Sequence, residues 1–264
     1  MVRLVVLDID ATLVPDGTNI VPHENITAIT TALRSGIAVA LATTRNFRPA
    51  CDIARQLNLN LPLICHGGAY IATTEGKVIS HTPIDRDVAT EIADYADAMS
   101  QRLVMTVSEI NYLPTFYAAS TDAPFADLAI VGSNRQALVG PPTRIATVDE
   151  EGSHIIYNRF TTDRRIRISR FYRGSTMYCI GVLHANVTKG SAVQSLCRYL
   201  DIDPQETLAM GDSEVDVSMF RSVGYSIAMP HSFDTVKDAA SHIAPPGRIS
   251  VAWGIEQLLS GQLE

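Results

Sequence analysis

RLVVLDIDAT, Arg3 to Thr12, holds four consecutive apolar residues, Leu4 to Leu7, followed by two aspartates one residue apart, Asp8 and Asp10. So short an apolar run suits one strand buried on both faces. Such a strand cannot carry a lone carboxylate in its middle. Asp8 and Asp10 therefore belong at its C-terminal edge, where an open parallel sheet keeps its ligand crevice. Residues i and i+2 of an extended chain point the same way, so both carboxylates can face one site. Two carboxylates that close push their pKa values apart: one stays ionised as a nucleophile or metal ligand, and the other can hold a proton as general acid. On this stretch alone, a strand-to-helix turn capped by Asp10 or Thr12 explains the residues equally well.

The rest of the chain supplies the context. Glu24 to Ser35 has helical spacing of Ile26, Ile29, Ala32 and Leu33. Ile37 to Ala42 is a second buried strand ending in Thr43-Thr44-Arg45, and a helix opens at Asn46 or Arg48 and runs to about Leu57. Leu61 to Cys65 is a third apolar run, ending in His66-Gly67-Gly68. Strand, helix, strand, helix, strand predicts a parallel α/β sheet with right-handed crossovers. Tyr70 to Ala72 and Val78 to Ser80 form a hairpin around Glu75-Gly76-Lys77.

Character changes near Pro83. Asp85 to Gln101 is amphipathic and helical, and Leu103 to Ala118 reads as two strands joined near Ile110-Asn111. Short apolar runs follow at Leu128 to Val131, Arg144 to Val148, Ile155 to Tyr157, Arg165 to Ser169 and Thr176 to Leu183. This middle third predicts an α+β unit with a largely antiparallel sheet. The parallel pattern resumes at Thr188-Lys189-Gly190 and continues through a helix at Ser191 to Leu200. A strand at Glu206 to Met210 then ends in Gly211-Asp212-Ser213-Glu214-Val215-Asp216. A helix from Asp216 to Ser222, a strand at Tyr225 to Ala228, a helix at Asp234 to Ala240, a short strand at His242-Ile243 and a helix at Ile249 to Leu259 complete the chain. The fold class is thus α/β: a doubly wound parallel-sheet core over 1–82 and 185–264, with an α+β cap domain inserted at 83–184.

With 264 residues, 46% of them hydrophobic, the chain can bury one large or two modest cores. A net charge of −7 argues against nucleic acid and anionic membrane as partners. The four cysteines, Cys51, Cys65, Cys179 and Cys197, form no C-x-x-C pair and read as small buried hydrophobes in a reducing, cytoplasmic setting. No apolar run reaches transmembrane length, and Asp8 interrupts the N-terminal run too early for a signal peptide. The sequons at Asn25 and Asn186 are accordingly read as chance.

Four polar signals stand at strand ends or helix starts: Asp8/Asp10, Thr43, Lys189 and Asp212/Asp216. Singly, each is also what a helix cap or an exposed helix start looks like. In this order they resemble the motifs of the haloacid dehalogenase superfamily, most closely its Cof-type branch (class IIB) of sugar phosphatases with a large α/β cap. LDIDATL resembles the first motif, ATTR the second, VTKG the third and GDSEVDVSMF the fourth. The resemblance spans the whole chain and implies a phosphatase acting on a small phosphorylated metabolite. Asp8 would be the nucleophile that becomes an aspartyl-phosphate, and Asp10 the acid and then the base. Thr43 and Lys189 would bind the phosphoryl group, with Thr44 and Arg45 beside them at the substrate. Mg²⁺ would be held by Asp8, Asp212 and the backbone carbonyl of Asp10, with Asp216 a ligand or its support.

The chemistry agrees. Phosphate monoesters hydrolyse extremely slowly, needing up to ~10²¹-fold acceleration. Their transition state spreads charge over three oxygens, so electrostatic clamping dominates. Mg²⁺ prefers carboxylate oxygens, and no His/Cys cluster has zinc spacing. Four aspartates and a phosphate dianion outweigh one divalent cation and one lysine, which favours a protonated Asp10 in the substrate complex. The chain departs from the branch pattern at Ala11 and Thr44, where glycine is usual, and at Gly67 and Val215, where asparagine is usual. Ala11 adds only a methyl group and should be tolerated. The other three bear on substrate fit and on the orientation of Asp212 or Lys189.

Several side chains stand outside these motifs. Arg164, Arg165, Arg167, Arg170 and Arg173 crowd one cap segment, with Arg165 and Arg167 on one strand face; they form either a solvated face or an anion subsite. His66 is either a turn residue or a contact of the leaving group. Two other functions compete: phosphoryl transfer to a sugar, as in a phosphomutase, and a regulatory or binding protein that kept the fold but lost turnover. The cap would exclude water and select the leaving group.

Overall fold

Strand β1, Leu4–Leu7, is buried at every residue. The computed structural model describes residues 1–114, 127–173 and 176–263, and the side chain of Arg173 and the segment Thr115 to Ala118 lie outside the described residues. After β1 come helix α1 (His23–Arg34), strand β2 (Ala38–Leu41), helix α2 (Phe47–Gln56) and strand β3 (Leu63–Cys65). Strands β4 (Tyr70–Ala72) and β5 (Val78–His81) follow.

β3 departs from the expected parallel order. It touches the parallel sheet through one bridge, Ala42 to Ile64, and pairs antiparallel with β4 in a separate sheet of order β3-β4-β5. The reason lies in the next three residues. His66, Gly67 and Gly68 all have positive φ, at 51°, 64° and 110°, which reverses the chain and returns β4 along β3. Gly68 is also pressed on the backbone of Thr188, so a Cβ there has no room.

The inserted segment carries α3 (Arg86–Ala98), β6 (Leu103–Val107), β7 (Ile110–Pro114), β8 (Leu128–Val131), β9 (Arg144–Thr147), α4 (Glu150–Phe160), β10 (Ile166–Arg173) and β11 (Thr176–His184). Its six strands run in the order β10-β11-β9-β6-β7-β8. Neighbours are antiparallel except for β7 and β8. Val88, Ile92 and Ala96 of α3 and Ile156 and Phe160 of α4 share one buried cluster with Leu103, Met105, Ile145, Ile180 and Val182. Ile155 to Tyr157, grouped above with the apolar runs of the sheet, is helical. Asp149 caps α4 by accepting from the Gly152 N–H, and Glu150 and Glu151 favour the positive end of the helix dipole.

The chain then adds α5 (Lys189–Leu200), β12 (Thr207–Gly211), α6 (Val217–Phe220), β13 (Tyr225–Ala228), α7 (Asp234–Lys237), β14 (His242–Ile243) and α8 (Ser250–Leu259). The parallel sheet has the order β14-β13-β12-β1-β2. Alternation along β1 sorts two cores. Val5 and Leu7 join Ile29 of α1, Ile53 of α2 and Ile255 of α8. Leu4 and Val6 join Val193 and Leu196 of α5 and Phe220 of α6. Helices on both faces make the sheet doubly wound. Compact units comprise Met1–Ser80 with Thr188–Glu264, and His81–Val187.

None of the four cysteines is in a disulfide; three are buried and Cys179 is half-buried. Asn25 is buried: its amide donates to the Leu13 carbonyl at 2.9 Å and accepts from the Ala252 N–H at 3.0 Å. No helix among the described residues is long and apolar enough to cross a membrane.

Candidate active site

Asp8 follows β1 directly, Asp212 follows β12 directly, and β1 and β12 are parallel neighbours. Two carboxylates from distant chain segments thus leave the sheet at the same edge. Lys189 opens α5, where a cation opposes the helix dipole. It is held there by two anions: its Nζ donates to Asp8 Oδ1 at 2.5 Å and to Asp216 Oδ1 at 2.6 Å. The three side chains are 1%, 6% and 0% exposed for Lys189, Asp8 and Asp216, so these charges interact with little water between them. Thr188 fixes the helix start by accepting from the Ser191 N–H, and Ser191 Oγ accepts in return from the Thr188 N–H.

Asp216 is fully committed. Its second oxygen accepts from the Asp212 N–H at 3.1 Å, the Ser213 N–H at 3.0 Å and the Ser213 hydroxyl at 2.8 Å. Asp212 receives the Thr12 hydroxyl on Oδ1 at 3.1 Å, and His231 Nε2 lies 3.8 Å from Oδ2. Burial, reinforced by the charge of Asp216, pushes the Asp8 carboxyl well above the usual carboxylate range, while Lys189 opposes that rise. Burial pushes the Lys189 ammonium down, but the charges and hydrogen bonds of Asp216 and Asp8 overcome it and raise the group above its ordinary value. The Asp212 contact, against a smaller effect of burial, raises His231.

Asp8, Asp212 and Asp216 each place a carboxylate oxygen within 4.8 Å of the other two. An all-oxygen donor set under net negative charge fits Mg²⁺. Asp216 already serves Lys189 and the turn at Ser213, which leaves Asp8 and Asp212 the better placed to hold the ion.

Asp10 and Arg45 form a second group. Arg45 Nη2 donates to Asp10 Oδ1 at 2.6 Å, and Nε lies 3.0 Å from Oδ2 and 3.2 Å from Oδ1. The same guanidinium reaches Asn19 Oδ1 at 2.5 Å and the Thr18 carbonyl at 3.0 Å. Thr43 is buried between strands: its N–H donates to the Ile64 carbonyl, its carbonyl accepts from the Gly67 N–H, and its Oγ1 accepts from the Arg45 N–H. The hydroxyl proton of Thr43 is left to donate. Thr44 is half-buried beside it.

Ala11 sits at φ 54° and Gly67 at φ 64°, both in the left-handed region. Glycine is at ease there and alanine is not, so Ala11 carries strain beyond its added methyl group. His66 is buried and stacks on Tyr70 at 5.8 Å. Among the cap arginines, Arg165 lies one residue before β10 rather than in it. Its guanidinium pairs with Glu91 and with Asp163, both at 2.7 Å. Arg170 lies 5.6 Å from the Tyr157 ring and 5.9 Å from the Tyr172 ring.

Three contributors carry no assignment from the sequence, Ser213, Asn19 and His231, and Thr12, read there as a possible helix cap, instead donates its hydroxyl to Asp212. Ser213 and Asp216 fit a capping-box spacing, which is readable in a sequence. Thr12 follows the Asp8/Asp10 pair at the same two-residue step. Nothing local marks Asn19 or His231.

Residues 5–247 match the family model of haloacid dehalogenase-like hydrolases. The 5-amino-6-(5-phospho-D-ribitylamino)uracil phosphatase YwtE of Bacillus subtilis (strain 168) is 27% identical, over 98% of this chain and 99% of its own length. The HMP-PP phosphatase of Serratia proteamaculans (strain 568) is 24% identical, over 90% and 87%. The solved structure of the subclass IIB sugar phosphatase BT4131 is similar in fold, with a TM-score of 0.84 at 21% identity and coverage of 97% and 98%.

Proposed function

The chain belongs to the haloacid dehalogenase-like hydrolases, and on that premise we propose that it is a Mg²⁺-dependent phosphatase of small phosphorylated metabolites, working through an aspartyl-phosphate on Asp8. The likeness to phosphatases named for a ribitylaminouracil phosphate and for HMP-PP supports the substrate class. One observation supports the roles most strongly: the buried Lys189 ammonium between Asp8 and Asp216, with Asp212 within reach of a shared ion.

An Asp8 oxygen attacks phosphorus, and the bond from phosphorus to the leaving oxygen breaks. Asp10 delivers a proton to that oxygen. Asp10, now a carboxylate, takes a proton from water as the water attacks the phosphoryl group, and the Asp8–phosphate bond breaks to release inorganic phosphate. Lys189 and the Thr43 hydroxyl hold the oxygens on which charge spreads. Asp8 and Asp212, with the Asp10 carbonyl, would hold Mg²⁺, which supplies positive charge against the phosphoryl oxygens. Asp216 fixes Lys189 and the Asp212 backbone in place.

Phosphate release from a panel of phosphorylated metabolites, with Mg²⁺ and then with chelator, tests the reading. The expected result is Mg²⁺-dependent release that Asp8→Asn and Asp212→Asn abolish while the fold persists. Full activity in either variant contradicts the roles.

A further inference from the structure

We propose that Arg45 is a positioning residue for Asp10, not a ligand of the substrate phosphate; the inference rests on Asp10 being the proton donor and acceptor of the proposed reaction. A guanidinium has five N–H donors in a fixed fork. Nε and Nη2 of Arg45 are directed at the Asp10 carboxylate, Nη2 also at the Thr18 carbonyl, and Nη1 at Asn19 Oδ1. The Arg45 side chain is only 15% exposed, so little of the fork remains to take a phosphoryl oxygen. Asp10 is more open: its side chain is 41% exposed, so packing restricts its rotamer less than it restricts Arg45. A forked, charge-assisted contact supplies the further restriction, and a lysine cannot reproduce it.

The clamp is itself anchored. Asn19 and Thr18 belong to the loop between β1 and α1. Gln56 of α2 holds the same loop, donating to the Asn19 carbonyl at 2.9 Å and accepting from the Val21 N–H at 3.4 Å. Arg45 lies just before α2. Asp10 is therefore tied, through one side chain, to the loop that follows it and to the helix beneath that loop. A general acid contributes only when its oxygen is within hydrogen-bond reach of the atom it serves, and this tie sets where the Asp10 oxygens lie.

The test compares leaving groups. A sugar phosphate leaves as an alkoxide that needs a proton; p-nitrophenyl phosphate leaves as a stabilised anion that needs little help. Arg45→Ala should lower kcat for the sugar phosphate by about 100-fold or more, the scale of general acid catalysis. The loss toward p-nitrophenyl phosphate should be at least ten times smaller, and KM and the inhibition constant of inorganic phosphate should move by no more than a few-fold. Arg45→Lys should recover part of the loss. In an Asp10→Asn background, Arg45→Ala should cost little more. Asn19→Ala, an exposed position, should show the same selective pattern in weaker form, and it keeps the test open should Arg45→Ala fail to fold. Equal losses on both esters, or a tenfold rise in KM and in the phosphate inhibition constant, would overturn the inference while leaving the phosphatase reading intact. A wild-type chain that releases phosphate from neither ester would overturn both.

Discussion

Two cations in this molecule each sit between two carboxylates, and they do different things. Lys189 lies between Asp8 and Asp216 with 1% of its side chain exposed. Arg165 lies between Glu91 and Asp163 with 44% exposed. Contact distances are alike, at 2.5–2.6 Å for the first and 2.7 Å for the second. The difference is water. Buried, the triad must neutralise itself or bind an ion, and its members are electrostatically coupled. In solvent, the same arrangement is a screened surface contact of small worth. Three charged groups at bonding distance therefore mark a candidate site only when burial makes their charge costly.

Breaking the buried triad should have the largest effect. Lys189→Met should lower kcat by about 10²–10³-fold or more and, in chelator, lower the unfolding free energy by about 3–5 kcal/mol, because two carboxylates lose their cation. Urea unfolding and a phosphate-release assay check both, and Arg165→Met should leave turnover intact. Next comes the ion. Mg²⁺ at a hundred times its dissociation constant should stabilise the protein by about 2.7 kcal/mol. Asp212→Asn should remove that gain and Asp163→Asn should not, as read by thermal unfolding with and without Mg²⁺.

A smaller effect belongs to Ala11. Ala11→Gly relieves a left-handed alanine and should stabilise the fold by up to about 1 kcal/mol, in a denaturant titration. The smallest belongs to the surface triad. Hydrogen bonds from Arg165 lower both Glu91 and Asp163. A depressed carboxylate stabilises the fold above its unfolded pKa, and that contribution fades as pH falls through the folded value. Any stability difference between wild type and Arg165→Met should therefore be present at neutral pH, begin to fade near about pH 4, where the unfolded carboxylates titrate, vanish only below the lowered folded values, and shrink in 1 M salt, where the Debye length is about 3 Å.

How much of this could be read from the chain depends on locality. Asp8, Asp212 and Lys189 draw attention in the sequence because each stands where a buried run ends or a helix begins; singly each also fits a helix cap or an exposed helix start, and only their order along the chain sets them apart. The detachment of β3 from the parallel sheet is not legible. It depends on His66 adopting a positive φ, which few non-glycine residues do. The contact of Arg45 with Asp10 is hidden for another reason. Its partners lie 35 and 26 positions away, at Asp10 and Asn19, so an arginine two residues after Thr43 reads as an anion ligand until the fold brings them together. The helix at Ile155 to Tyr157 is hidden because three consecutive apolar residues suit a strand as well as a helix, and only the Asp149-Glu150-Glu151 start signal just before them distinguishes the two.

The most direct measurement is mass spectrometry of the protein quenched in acid during turnover of a phosphorylated sugar with Mg²⁺. A phosphoryl adduct on the peptide containing Asp8, lost in Asp8→Asn and accumulating in a variant slowed in its second step, is the predicted result. Sustained phosphate release with no adduct, or with the adduct on another residue, would contradict the assignment of Asp8 as the nucleophile.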